Sequence, residues 1–135
     1  MGELEQSSVK LGGVEFSDAR IHVSAALQSL GDEEYQSRVW IAKDFPKGGA
    51  SDDLSLVIHI LYDDFRVLED PEAALGEVLR NRREVAAMRR LADLMDPLIE
   101  ELGDAPDETY LAAPSWGLVV RAARAALDAM EAFAG

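Results

Sequence analysis

The sequence predicts an all-α fold, with one compact domain of about five to six helices in residues 14–135. Apolar residues recur three and four positions apart along most of the chain, which is the spacing of one helix face. Cap residues precede these runs and glycine or proline ends them, while neither an internal repeat nor a linker divides the chain. Residues 1–13 are polar and end in Gly12-Gly13, which predicts a flexible N-terminal tail.

Two helices are predicted at the start of the domain. Ser17 is placed to cap a helix that runs to Leu30, and Gly31 is placed to end it. Asp32 then caps a short helix that reaches about Ile41. A serine or aspartate at such a position accepts a hydrogen bond from a backbone N–H that the first helical turn leaves without a partner.

The segment from Asp52 to Asp64 fits two structures, and it follows a predicted glycine-rich loop over residues 43–51. As a helix, the segment places most of its apolar residues on one face. As a strand, it alternates apolar residues in steps of two, which gives an α+β fold with a short hairpin in residues 36–66. We favour the helix because Asp52-Asp53 has the chemistry of a helix cap.

Two further helices are predicted after this segment. Asp70-Pro71-Glu72 combines a cap, a first-turn proline and an acidic residue near the positive helix end, which predicts a helix to about Leu79. Apolar residues then repeat at helical spacing from Val85 to Leu102, and Gly103 ends that helix. Because Pro97 has no N–H to donate, we expect a kink or a break at this position.

A turn and a last helix complete the predicted fold. Asp107 is a candidate cap for a turn that reaches Ala112, and Pro114 or Ser115 opens the last helix. The residues predicted to face inward from that helix are Trp116, Val119, Val120, Ala123, Leu127, Met130 and Phe133.

The net charge of −13 is the most informative bulk property. Such a field repels nucleic acids and anionic membrane surfaces, so we expect neither as a partner, whereas it attracts a basic protein. The charge is uneven, because residues 1–79 hold 16 acidic and 6 basic side chains while residues 80–135 hold 10 and 7.

A compact group of arginines interrupts the acidic sequence between positions 80 and 90, where Glu84 is the one acidic residue. Arg80, Arg82 and Arg83 are candidate binding residues for a phosphate or an acidic protein. The alternative is that they pair with carboxylates elsewhere on the chain. Together with the acidic first half, the group is also compatible with a homodimer.

The candidate site residues outside this group are His59, Tyr62, Asp63 and Asp64. On a helix, the spacing of four between His59 and Asp63 places both on one face, where the carboxylate can orient the imidazole. Asp63-Asp64 lies at the negative end of the predicted helix, which is mildly unfavourable and makes it a candidate pair of carboxylates. The alternative is that the pair only marks a helix end. The alternative is that His59 is a hydrogen-bonded packing residue. With two ligands and no cysteine, we expect no metal and no cofactor.

No targeting or membrane-spanning segment is predicted. The N-terminus lacks the positive and apolar regions of a signal peptide. The longest apolar run, residues 54–62, is far shorter than the roughly 20 residues that cross a bilayer. With no cysteine as well, we expect a cytoplasmic protein.

Several segments together resemble a known family. They are Tyr35-Gln36, Arg38-Val39-Trp40, Leu61-Tyr62-Asp63-Asp64, Asp70-Pro71-Glu72, Gly76-x-Val78-Leu79 and Tyr110-Leu111-Ala112 with Pro114 and Trp116. From about residue 14 the chain resembles a family of small uncharacterised actinobacterial proteins with no assigned function. The resemblance implies a bacterial single-domain protein, and it implies no activity, cofactor or partner.

Two functions fit these observations. The first is a non-enzymatic acidic module that binds a basic protein, as an immunity-type or antitoxin-like inhibitor or as a regulatory partner. The sequence contains no nucleotide-binding loop, nucleophile elbow or metalloprotease motif, which favours a non-enzymatic protein. The alternative is a small-ligand or metal-dependent enzyme that uses His59 and nearby carboxylates in a pocket between helices.

Overall fold

The computed structural model of the protein describes residues 17–43 and 52–132. Within these residues the chain forms six helices, and no strands pair into a sheet. The predicted all-α fold is therefore confirmed. The hairpin alternative for residues 36–66 is wrong, because the described parts of that segment are helical. The predicted tail at residues 1–13 and most of the predicted loop at 43–51 lie outside the described residues.

The first two helices lie in the predicted parts of the chain, and the capping role of Ser17 stays a prediction. Helix α1 spans Ser17–Leu30, and the N–H of Gly31 donates to the carbonyl of Leu27 at 2.9 Å. Helix α2 begins as an α-helix at Glu33–Tyr35 and continues as a π-helix over Gln36–Ile41. Asp32 caps α2 as expected, since its Oδ1 accepts from the Tyr35 N–H at 3.0 Å.

The ambiguous segment is helix α3, which is an α-helix over Leu54–Ile58 and a π-helix over His59–Asp64. Asp53 caps it, because its Oδ1 accepts from the Leu56 N–H at 2.9 Å. A π-helix is defined by hydrogen bonds to the carbonyl five residues back rather than four, such as the bond from the Phe65 N–H to the carbonyl of Ile60 at 3.1 Å. π-Helical segments are rare in proteins, and many of those that occur lie at functional sites.

The helix predicted from Asp70 to Leu79 is wrong, because this segment consists of turns. The start has the expected cap, with Asp70 Oδ1 accepting from the Ala73 N–H at 3.2 Å. The chain then turns back at Gly76, whose φ of +92° is outside the helical region, and the Gly76 N–H donates to the carbonyl of Leu79 at 2.8 Å. Both Val78 and Leu79 are buried in this arrangement.

Helix α4 spans Arg82–Leu102 without interruption, so the break that was one of the two expectations at Pro97 is wrong, and the kink stays a prediction. The proline leaves one carbonyl without its intrahelical donor, but residues on both sides of it, Met95 and Leu98, are buried in the core. Packing along this amphipathic face therefore holds the helix together. Gly103 ends α4 at the predicted place with a φ of +51°.

Two helices follow. Helix α5 spans Asp107–Leu111, and the predicted capping role of Asp107 is wrong, because its carboxylate instead accepts from the Leu54 N–H of α3 at 3.1 Å. Helix α6 spans Trp116–Glu131 and is preceded by Ser115, as predicted. Of the residues predicted to face inward from α6, Leu127 is half-buried, Phe133 lies outside the described residues and the other five are buried.

Both α1 and α4 pack against α6, and α3 closes the core on the side of α1. The core is formed by branched aliphatic residues, alanines of α6 and the two tryptophans, Trp40 and Trp116, which are 1% and 2% exposed. In the part of the chain that the structure describes, no helix has the length and apolar character to cross a membrane.

Candidate functional site

Two acidic segments lie next to each other in the fold. Residues 52–65 contain four acidic residues and no lysine or arginine, and residues 91–115 contain seven acidic residues and no lysine or arginine. We call these two segments the acidic region. They are joined by two hydrogen bonds: the Tyr62 hydroxyl donates to Asp96 Oδ1 at 2.5 Å, and the Leu54 N–H donates to Asp107 Oδ2. Segments that are 26 residues apart in the sequence therefore lie side by side in the fold.

A groove of about 310 Å³ lies between these two segments. Its apolar lining comes from Leu54, Ile58, Ile99, Ala105 and Tyr110, and its polar lining from Ser55, His59, Asp104 and Asp107 together with Gly103. The groove therefore combines an apolar floor with carboxylates at one end, where α4 terminates. We call it the α3–α4 groove.

The structure brings His59 and Asp63 together, as the sequence predicted. The imidazole Nδ1 lies 2.6 Å from Asp63 Oδ2, and the two side chains are 64% and 61% exposed. The carboxylate can therefore hold the imidazole in one orientation at the edge of the groove. Among the described residues, however, no group of three or more histidines and carboxylates could hold a metal ion.

Tyr62 and Asp64, the other two candidates from α3, do not join this pair. Tyr62 is bonded to Asp96, and burial, followed by the hydrogen bond and charge of Asp96, raises the pKa of its phenol far above the ordinary value of 10. The phenol therefore stays protonated and remains a donor at neutral pH. Asp64 lines a separate groove of about 300 Å³ beside Phe65 and Asp70.

The predicted arginine group separates into two environments. Arg80 belongs to a buried cluster around Glu84, which is 0% exposed, whereas Arg82 and Arg83 are exposed in the first turn of α4. The N–H of Arg80 donates to Glu84 Oε1 at 2.7 Å, and its guanidinium donates to the Met130 carbonyl at 3.1 Å. For Arg80, the alternative that the arginines pair within the chain agrees with these contacts, and binding by Arg82 and Arg83 stays a prediction.

Arg20 completes the buried cluster and links four parts of the fold. Its guanidinium forms two parallel hydrogen bonds with the Glu84 carboxylate at 2.9 and 3.0 Å, and it also donates to the carbonyls of Val78 and Met130. Glu84 lies at the positive end of α4 and Met130 at the negative end of α6, so each charge lies at the helix end that stabilises it. The cluster thereby fixes α1, the turn at residues 76–79, α4 and α6 relative to one another.

Sequence reasoning missed several residues that shape the site. Asp52 Oδ2 accepts from the Tyr35 hydroxyl at 2.7 Å and from Trp40 Nε1 at 3.1 Å, and so holds α2 against the start of α3. Asp104 and Asp107 were not expected to be near His59. One available signal was the absence of basic residues from 91 to 115, but only the fold shows which segment lies opposite.

The fold and the site define an acidic, all-helical protein with a groove between α3 and α4. The chain belongs to the family described as Domain of unknown function (DUF7945), whose profile matches residues 14–134. The expected membership in a family without an assigned function is therefore confirmed, and the actinobacterial origin stays a prediction. No curated protein and no solved structure matches the chain.

Proposed function

We propose that the protein is a non-enzymatic module that uses its acidic region to bind a basic protein. The observation that carries the proposal is the distribution of charge along α4. Arg82 and Arg83 lie in its first turn, while Glu100 and Glu101 lie in its last turn, which contains no basic residue. Glu84 in the first turn agrees with the helix dipole, but the two arginines beside it and both carboxylates of the last turn oppose it, and each unfavourable charge typically costs about 0.3–1 kcal/mol. A charge pattern that lowers the stability of its own helix favours a role in recognition.

Burial supports the same proposal. Asp93, Glu100 and Glu101 are exposed. Their side-chain carboxylates form no hydrogen bond or ion pair with another described residue. Their charges therefore extend into solvent, where they speed the approach of a basic protein and make its binding depend on salt. An immunity-type inhibitor, an antitoxin-like inhibitor and a regulatory subunit would all use such a surface.

The test compares two variants that each remove three negative charges. The first, Asp93→Asn/Glu100→Gln/Glu101→Gln, neutralises exposed carboxylates of the acidic region. The control, Glu33→Gln/Asp128→Asn/Glu131→Gln, neutralises exposed carboxylates of α2 and α6. Immobilised proteins capture partners from a lysate of the source cells at low salt, and the captured proteins are identified and then purified.

We expect wild type and control to bind the same purified basic protein, and the first variant to bind it at least tenfold more weakly. Binding should weaken steadily between 50 and 500 mM salt because exposed charges are screened. Failure to capture any basic protein, or equal affinity of the two variants, would contradict the proposal.

Self-association is a competing outcome of the same experiment. Arginines at one end of α4 and carboxylates at the other are complementary in an antiparallel pair of identical chains. Light scattering coupled to size exclusion distinguishes the two cases, because a dimer doubles the mass while binding to a basic protein leaves the free chain as a monomer.

A second candidate function is the binding of a small ligand in the α3–α4 groove, and the His59–Asp63 pair favours it. An imidazole that a carboxylate orients at the edge of a groove is suited to accept or donate a proton. His59→Gln removes the imidazole at an exposed position, so it should abolish ligand binding without changing the melting temperature. A change in the melting temperature alone would assign the pair a structural role.

A further inference from the structure

Of the three long helices in the described residues, α1 and α6 end in carbonyls that accept hydrogen bonds from arginines of other segments. Beyond α1, Nε of Arg124 donates to the Gly31 carbonyl at 2.5 Å. At the end of α6, Arg20 and Arg80 both donate to the Met130 carbonyl, at 3.0 and 3.1 Å. The last carbonyls of a helix lack intrahelical donors and form the negative end of its dipole, so a guanidinium is a favourable partner for them.

Helix α4 is the exception among the described residues, because the side chain that donates to its C-terminal end is the neutral Tyr110 hydroxyl, which bonds the Gly103 carbonyl at 2.6 Å. Its last turn carries Glu100 and Glu101 with no basic residue, and the next acidic residue is Asp104. The described residues that line the α3–α4 groove at this end include no lysine or arginine. Carboxylates and the negative helix end therefore act in the same direction on whatever enters the groove.

We infer that the α3–α4 groove receives an arginine side chain that a partner protein supplies. This inference rests on the proposed function and specifies the part of the basic partner that is recognised. The methylene stem of the arginine lies on Ile58 and Ile99, and its guanidinium reaches Asp104 and Asp107 at the end of α4. An arginine has this combination of an apolar stem and a charged head.

The two carboxylates are arranged for such a contact. Oδ2 of Asp107 accepts from the Leu54 N–H, which fixes the orientation of the carboxylate while leaving it further lone pairs. Asp104 is exposed, and its carboxylate forms no hydrogen bond with another described residue. Asp104, Asp107 and Tyr110 line the groove together. Burial, followed by the charges of the two aspartates, raises the pKa of Tyr110.

The geometry favours arginine over lysine. A guanidinium is planar, offers two parallel N–H groups to a carboxylate and is weakly hydrated, so it enters an apolar groove at a lower desolvation cost. A lysine ammonium is compact and strongly hydrated, and it cannot form the paired contact. The buried Arg20–Glu84 contact, with bonds of 2.9 and 3.0 Å, is an example of this paired geometry in the same protein.

The experiment uses N-acetyl-arginine N-methylamide as the probe and follows backbone amide signals of the full ¹⁵N-labelled chain by NMR. We expect the arginine probe to shift signals of residues that line the groove, above all Ile99, Gly103 and Asp104. The citrulline counterpart, which has the same shape and no charge, should leave these signals unchanged. The lysine counterpart should bind several-fold more weakly.

Two matched variants each remove one exposed carboxylate. Asp104→Asn removes one that lines the groove, and Asp93→Asn removes one outside it. We expect Asp104→Asn to weaken arginine binding roughly threefold to fivefold, as for a partly exposed ion pair, and Asp93→Asn to leave it unchanged. Equal shifts with citrulline, shifts spread evenly over the acidic surface, or equal effects of the two variants would overturn the inference.

The inference and the proposed function can fail separately. If a basic protein is captured and Asp104→Asn binds it as tightly as wild type, then the arginine site is wrong while the function stands. If the groove binds the arginine probe selectively and no basic protein is captured, then the proposed function is wrong.

Discussion

Replacement of Glu84 by glutamine tests whether the buried cluster holds the helices together. Glu84 is 0% exposed, and its carboxylate accepts two hydrogen bonds from Arg20 and one from the Arg80 N–H. The amide has nearly the same shape but no charge, and it directs an NH₂ group at these donors. The guanidinium of Arg20, 14% exposed, then lacks its counter-charge.

Removal of one partner of a buried ion pair typically costs about 3–5 kcal/mol. We expect about 3 kcal/mol for Glu84→Gln, because the Arg20 guanidinium keeps its bonds to the carbonyls of Val78 and Met130. For a domain of this size the loss corresponds to a fall in melting temperature of roughly 10 °C. It is also a large fraction of the roughly 5–15 kcal/mol by which such domains are stable.

Urea unfolding, followed by circular dichroism, measures the loss. The control is Glu72→Gln, which makes the same chemical change in an exposed pair with Arg89, where the atoms are 3.2 Å apart and the side chains are 59% and 51% exposed. That variant should lose less than about 1 kcal/mol. The double variant Arg20→Met/Glu84→Gln removes the Arg20 charge as well and leaves only that of Arg80 beside position 84, so it should be more stable than Glu84→Gln. If Glu84→Gln loses no more than the control does, the cluster does not contribute as argued.

Three further changes test other parts of the fold. The Gln36 side chain accepts from the Trp116 indole N–H and donates to two carbonyls at the end of α1, at distances of 2.8–3.0 Å. Gln36→Leu removes these three hydrogen bonds, so urea unfolding should show a free energy of unfolding that is about 2–4 kcal/mol lower. Gly76→Ala forces a side chain into a φ of +92° and should cost about 1 kcal/mol, whereas Gly117→Ala inside α6 should add roughly 0.5–1 kcal/mol. The pKa of every tyrosine is raised above 10, mainly by burial, so absorbance at 295 nm should show less tyrosinate at pH 10 in the folded protein than in the unfolded chain. The three residues are Tyr35, Tyr62 and Tyr110.

The tyrosines also determine how stability depends on pH in alkaline solution. Because the unfolded chain loses its phenolic protons near pH 10 and the folded protein keeps them, the stability that they contribute is fully present below pH 10 and is lost as pH rises above it. A folded-state tyrosinate titration with a midpoint at pH 10 would contradict this reasoning. An unchanged unfolding free energy for Gln36→Leu, or a gain in stability for Gly76→Ala, would contradict the other two predictions.

The sequence predicted the elements whose signals are local. A cap such as Asp32 is recognisable because its carboxylate bonds a backbone N–H only three residues away. The helical repeat from Val85 to Leu102 is recognisable because one face of a helix is periodic in the sequence. The contact between His59 and Asp63 was predictable for the same reason, since both residues belong to one helix.

The predictions that were wrong concern residues whose partners are distant in the sequence. The Asp70-Pro71-Glu72 start is intact, yet no helix follows it, because turning back at Gly76 buries Val78 and Leu79 in a core that other segments supply. Pro97 does not break α4, since the stability gained by packing against α6 compensates for the loss of one backbone hydrogen bond. The Asp107 carboxylate does not cap its own helix, because it accepts from the Leu54 N–H, 53 residues away at the start of another helix.

The sequence by itself determined that the protein is helical and strongly acidic, because helical periodicity and charge are properties of the residues alone. Only the tertiary structure decided where that charge lies. It separated Arg80 from the exposed arginines by placing it beside buried Glu84, and it brought residues 52–65 next to residues 91–115. The physical reason is that a charge acts through space, and folding brings together segments that are far apart in the chain.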